Sequence, residues 1–294
     1  GQRRRDGSQP LFLAPKKRCM DLPYLTTTLK NLRDQWPHVW PGLGLVVRSA
    51  LGQLGHRSHA RLPARHQALH DCIFSVIQAI EADGVKRSAQ QQEPAYHNRL
   101  HFSDTVVSLC VLLLNQRLVA GRPQSAPLNH AEWLCMLTMV SHDFMHNGRV
   151  NSCPSEIEAL TVQALQPHMA RHRVHKADQA LVSGLILQTD PTFVAPSHRN
   201  IQGLRFDVAD PRCMLVLIQE SDILASALPD TGGSLTQQLS REWSTVAPER
   251  AKALLPPEGR LMFLKHAALF SSPASRRLGV QAVIDQQIQA LQAA

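Results

Sequence analysis

Apolar residues recur at helical spacing along almost the whole of this chain. No long run alternates apolar with polar residues between hairpin turns. Leu69, Ile73, Val76, Ile77 and Ile80 fall on one face of a predicted helix, and Val107, Cys110, Val111 and Leu114 repeat the pattern. Further helices are predicted over 131–140, 156–168, 178–188, 211–227, 258–270 and 276–291. Pro154 and Ser155 read as the start of the second of these, Asp178 as the cap of the third, and Asp210 with Pro211 as the opening of the fourth. Breaks fall at 121–126, 191–207 and 229–233, short loops within a domain rather than linkers. A chain without strands buries its apolar stripes only by packing helix on helix. The expected fold is therefore all-α: a compact multi-helix single domain over 61–294. Before it come a basic tail and a helical segment, residues 1–60, to which the sequence assigns no role.

The 294 residues are 44% hydrophobic and 18% charged, enough apolar material for a core and too much for a disordered chain. Aromatic residues reach only 5%, which argues against a stacking surface for single-stranded nucleic acid. The net charge of +8 is uneven: Arg3, Arg4, Arg5, Lys16, Lys17 and Arg18 face only Asp6 in the first 18 residues. That run reads as a solvated tail, with no specific nucleic-acid binding expected. A second basic stretch, 171–176, suits the C-terminal end of a helix. The six cysteines are scattered without CxxC spacing, which argues against a disulfide framework and a structural zinc site, and reduced cysteines in a cytoplasmic protein are the simpler reading. The longest apolar stretch, 106–114, is too short to span a bilayer, and no secretory signal is visible. Gly1 in place of Met predicts a natural N-terminus that differs from this one.

Three clusters carry chemistry. Tyr96-His97-Asn98-Arg99-Leu100-His101 places two histidines four apart, which on a helix share a face. His142-Asp143-Phe144-Met145-His146-Asn147-Gly148-Arg149-Val150-Asn151 ends an apolar helix with an imidazole beside a carboxylate. Asp222 lies late in a strongly apolar helix, where an unpaired charge is costly. Taken singly, each has a bland reading: a solvated HxxxH pair, a chance dipeptide, an acid met by an arginine. All three in this order are much harder to obtain by chance.

The combination YHNxxH, HDxxHxGxxN and a later helix-borne Asp resembles the class I cyclic nucleotide phosphodiesterases, a branch of the HD-domain phosphohydrolases. The compact interval from Asp143 to Asp222 is similar to a trimmed, bacterial-type member, and the absence of GYP after the His-Asp pair excludes the HD-GYP branch. The resemblance implies that His101, His142, Asp143 and Asp222 hold a first divalent ion, zinc, manganese or iron. Asp143 would bridge to a second, magnesium or manganese, and help hold a hydroxide between the two. His97 would be the general acid, with a further ligand or a structural donor as the other readings of that residue. His146 and Asn151 would orient water and carboxylate from outside the ligand set. Tyr96 reads as packing.

The resemblance is incomplete at two points. Such enzymes recognise a purine through an SQVGF-like segment, and the best counterpart here is Arg276-Arg277-Leu278-Gly279-Val280. Arg277 stands in place of the glutamine and offers donors only. Gln281 or Gln286 is a substitute, and Arg277 and Gln281 become the substrate-binding candidates. An acid near the second ion is also unassigned: Gln166 falls near the expected place, and Glu156 and Glu158 are alternatives. The expected function is metal-dependent hydrolysis of a nucleotide-like phosphodiester, foremost a 3′,5′-cyclic nucleotide to the 5′-monophosphate. The alternatives are an HD-domain phosphohydrolase acting on another nucleotide or phosphoester, and a non-catalytic HD-type binding module.

Overall fold

A computed structural model describes residues 20–294; the basic tail read at 1–18, and Cys19, lie outside the described residues. Among the described residues there are fourteen α-helices and no strand. They are α1 Leu22–Gln35, α2 Leu43–Gln53, α3 Ala64–Ala89, α4 Arg99–Val119, α5 His130–Ser141, α6 Glu156–Arg171 and α7 Lys176–Leu187. Then follow α8 Val194–Asn200, α9 Pro211–Ala227, α10 Pro229–Trp243, α11 Pro248–Leu254, α12 Pro257–Met262, α13 Pro273–Leu278 and α14 Val280–Ala293.

The axis of the fold is α4, buried along nearly its whole length, with α1, α2, α5, α9 and α13 packed around it. Its 21 residues reach a mean hydropathy of 1.3 over the most apolar window, so by length and composition it matches a membrane span, more than the 106–114 stretch suggests. The reason is packing: 89% of that window is buried inside the protein. Residues 20–53 share this core. Leu25, Leu29, Leu43 and Val47 are fully buried in it, Arg33 pairs with buried Asp104, and Asn115 Nδ2 donates to the Met20 carbonyl at 2.9 Å. Cys72, Cys110, Cys135, Cys153 and Cys213 are unpaired.

One buried ion pair locks α4 to α5. Arg117 donates through Nε and Nη2 to the two oxygens of Glu132 at 2.7 and 2.8 Å, and through both Nη atoms to the carbonyls of Leu54, Gln124 and Ala126. Glu132 also completes the capping box with Asn129 that starts α5. Glu132→Ala would leave Arg117 buried and unpaired, and should cost about 3–5 kcal/mol in chemical denaturation. A loss below about 1 kcal/mol would contradict this role.

Several expected boundaries move for tertiary reasons. Asp178 is not a cap: α7 starts at Lys176 behind His175, and Asp178 is buried in the first turn, held by Arg65 at 2.6 and 2.7 Å and by His130 at 3.0 Å. The basic stretch 171–176 accordingly straddles the end of α6 and the start of α7. Ser155 sits at the N-cap of α6 in a left-handed conformation, and its hydroxyl donates to the Leu187 carbonyl instead of capping. Asp210 does cap α9, accepting from the Arg212 N–H. The break at 191–207 contains a 3-10 turn and α8, and 229–233 is the first turn of α10, with Pro229 at its start. The 258–270 helix is a short α12 followed by a π-helical turn, Phe263–Ala267. The 276–291 helix is two helices, broken where Gly279 takes φ of 75°.

Candidate metal centre

Three mutually packed helices deliver the polar cluster. His101 lies in the first turn of α4, His142 caps the C-terminus of α5 with Asp143 next to it, and Asp222 is on α9. Asn98 caps α4 by accepting from the His101 N–H at 3.2 Å, which sets where the helix begins. His97 therefore precedes the helix rather than sharing a face of it with His101, yet the two rings still approach to 5.4 Å.

The ligand atoms of His101, His142, Asp143 and Asp222 all lie within 4.8 Å of one another. Each imidazole Nε2 sits 3.0 Å from Asp143 Oδ2 and 3.2 Å from Asp222 Oδ1. His142 Nδ1 is 2.7 Å from the Met139 carbonyl, to which it can only donate, so the neutral ring keeps its lone pair on Nε2. His101 Nε2 is buried and makes no directed hydrogen bond despite its two carboxylate neighbours. Two imidazole nitrogens and two carboxylate oxygens converging on one point form a donor set that fits a divalent cation.

The electrostatics agree with a site built for positive charge. Burial lowers the His101 pKa, and Asp143 and Asp222 more than reverse that, to about 9. Burial likewise lowers the His142 pKa, and the same two carboxylates overcome that and raise it well above the ordinary imidazole value. Both acids move the other way: burial raises them, and His142 with His101 brings them well below the usual carboxylate range. In the metal-free protein the imidazoles hold protons that a cation must displace. Affinity for Mn²⁺ should therefore rise with pH between 6 and 9, with release of about one proton or more near pH 7. Calorimetry in buffers of different ionisation enthalpy measures this; a pH-independent affinity without proton release would contradict it. By the same linkage, the stability His101 gives the metal-free fold is complete below 6.5 and is lost as pH rises through about 9.

A second group, His97, Asp143 and His146, also has its ligand atoms within 4.8 Å, so Asp143 belongs to both. His146 stacks on His97 with centroids 3.7 Å apart, and its Nδ1 accepts from the Gly148 N–H at 3.0 Å, which leaves the proton on Nε2. Burial and the adjacent His97 lower the His146 pKa to about 3, so it is neutral near pH 7.

Glu242 on α10 is the residue that sequence reasoning missed. Its Oε1 accepts the backbone N–H groups of Tyr96 and His97 at 3.0 and 2.9 Å, and its Oε2 accepts from His97 Nδ1 at 2.5 Å. Burial alone raises the Glu242 pKa, but His97 and these donors outweigh it and hold the carboxyl at about 2. An ionised Glu242 fixes the proton of His97 on Nδ1 and turns Nε2 outward. Gly148, at φ of 79°, makes room for it: a Cβ there would lie 3.2 Å from Glu242 Cγ.

The cluster reaches a cavity of about 710 Å³ through Asp143 and Asp222, which line it. Tyr96 lines it beside His97 and His101, with its hydroxyl 3.3 Å from Ser226 Oγ. Asn151 lines it too, donating to Glu158 at 2.8 Å and to Asp190 at 3.2 Å, so it orients carboxylates outside the four-residue cluster. Of the candidate acids, Glu158 reaches the cavity; burial raises its pKa. Glu156 is exposed and bonds Ser152, and Gln166 bonds Ser183 on an exposed face. Arg277 and Gln281 are not brought to the cavity. The buried face of α13 is Ala274 and Ser275, which puts Arg276 and Arg277 on its exposed side, and Gln281 bonds Asp285 at the surface of α14. No family model matches this chain, and no curated protein matches it.

Proposed function

We propose that this protein is a metal-dependent phosphoester hydrolase of the HD-domain type, acting on a nucleotide-like substrate, with a 3′,5′-cyclic nucleotide as the leading candidate. The reading rests on one observation: the His101, His142, Asp143 and Asp222 cluster presents Asp143 and Asp222 to a cavity wall beside a histidine whose proton position is fixed by a buried carboxylate. His101, His142, Asp143 and Asp222 would hold one divalent ion, zinc, manganese or iron, and Asp143 would reach a second, magnesium or manganese. Such ions supply a nucleophile at neutral pH and neutralise the phosphoryl oxygens.

The remaining steps belong to the chain. Glu242 holds His97 in one tautomer and stabilises positive charge on it, so His97 Nε2 can carry a proton to the leaving oxygen of the ester. His146, neutral and stacked flat on His97, keeps that ring in place and lines the cavity beside it. The apolar residues Ile157, Ile223 and Leu239 of the cavity wall exclude water from the bound ester.

Hydrolysis of cyclic nucleotides, cyclic dinucleotides and phosphomonoesters by Mn²⁺-loaded protein, with product identification, tests the reading. It expects a phosphomonoester product formed only with metal. Metal uptake without turnover of any phosphoester would favour the binding-module alternative. Glu242→Gln should lower turnover about 10²-fold at unchanged metal content, because a neutral amide facing His97 Nδ1 no longer stabilises the imidazolium that donates from Nε2. Unchanged turnover in Glu242→Gln would remove His97 from the proton path.

A further inference from the structure

The cavity is polarised. Its lining acids, Asp143, Glu158, Asp190 and Asp222, all lie outside the part built from residues 235–267. The cavity-lining residues of that part, contributed by α10, α11, α12 and the π-helical turn, include Arg250, Arg260 and His266 and no Asp or Glu; Glu242 of α10 is turned to His97 instead. Its central cation is Arg260. The guanidinium donates to the Ser226 carbonyl at 2.5 Å, the Gln287 amide oxygen at 2.8 Å and the Leu228 carbonyl at 3.4 Å, all neutral acceptors, and lies 5.5 Å from the Phe263 ring centre. It forms no ion pair among the described residues. Gly232 leaves the space it occupies, since a Cβ there would fall 2.3 Å from Arg260 Nη2.

A half-buried cation without a counter-ion carries a desolvation cost, and burial lowers the Arg260 pKa with nothing acidic to offset it. Its place relative to the metal centre is also fixed. Asp222 and Ser226 are four residues apart on α9 and both face the cavity, so the carbonyl gripping Arg260 lies about 6 Å along the helix from the cluster.

We propose that Arg260 receives a second anionic group of the substrate, so that the preferred substrate is a phosphoester carrying a further phosphate about one helical turn from the phosphorus attacked. The assignment rests on the phosphoester-hydrolase reading and, within it, puts a two-phosphate ester ahead of a 3′,5′-cyclic nucleotide: a nucleotide with one phosphate fills the metal end and leaves Arg260 unpaired. Charge-assisted hydrogen bonds to a partly buried guanidinium favour the two-phosphate ligand by about ten- to hundredfold.

The test is calorimetric binding of adenosine 3′,5′-bisphosphate, adenosine 5′-monophosphate and adenosine 3′-monophosphate to the Mn²⁺-loaded 294-residue chain. The wild type should bind the bisphosphate about ten- to hundredfold more tightly than either monophosphate. Arg260→Met should erase that preference and leave monophosphate affinity unchanged, and Arg260→Lys, which keeps the charge, should retain part of it. The wild-type comparison stands even if Arg260→Met fails to fold. Equal binding of all three ligands overturns the proposal and leaves the metal-centre reading intact. So does a bisphosphate preference that survives in folded Arg260→Met. Binding of none of the three overturns both.

Discussion

Asp143→Ala is expected to empty the metal centre and reduce phosphoester hydrolysis to background. Asp143 Oδ2 lies 3.0 Å from both His101 and His142 Nε2, and Asp143 is the only residue common to the two donor groups. Removing it takes one oxygen from the first group and the only carboxylate from the second. The metal-free protein should also change: with the carboxylate gone, His101 and His142 titrate closer to an ordinary imidazole, which NMR of the ring protons would show. Asp222→Ala should likewise lose metal, since its oxygen lies 3.2 Å from each imidazole nitrogen. Purified Asp143→Ala that kept its metal and full turnover would contradict the assignment.

His97→Asn should lower turnover by roughly 10²–10⁴ on an alkyl or ribosyl leaving group while metal content stays near normal. The expectation comes from the Glu242 contact, which commits Nδ1 and leaves Nε2 free for the leaving oxygen. A nitrophenyl ester departs without needing a proton, so its hydrolysis should fall far less. His101→Asn should instead lose metal and fail on both substrates. Because His97, Asp143 and His146 can also form a donor group, the comparison decides between acid and ligand. Metal loss with equal damage on both substrates would move His97 into the ligand set.

The helical period made the all-α class legible, because buried stripes such as Leu69 to Ile80 come directly from contacts on one face of α3. Local signals failed where a distant partner decided the outcome. Asp178 looks like a cap from its neighbours and is instead claimed by Arg65, 113 residues away. Pro229-Asp230-Thr231-Gly232-Gly233 looks like a turn, but Gly232 is there to admit the Arg260 guanidinium into the first turn of a helix. The His and Asp residues of the metal cluster stand in short motifs, and sequence spacing draws attention to them. Glu242 sits 145 residues from His97 on an amphipathic helix with no motif around it, and only packing shows its role. Arg277 shows the converse: the counterpart of the SQVGF-like segment draws attention to it, yet it lies on the exposed side of α13 and does not line the cavity, whereas Arg260, with no motif, does.

Metal reconstitution measured together with turnover tests the central claim most directly. Chelated wild-type protein, titrated with Mn²⁺ and assayed at each step on the best phosphoester from the substrate screen, should start inactive and gain activity in proportion to bound metal. His101→Asn carried through the same titration should bind little metal and stay inactive. Full turnover in the chelated wild type, or activity in His101→Asn equal to wild type, would contradict the account.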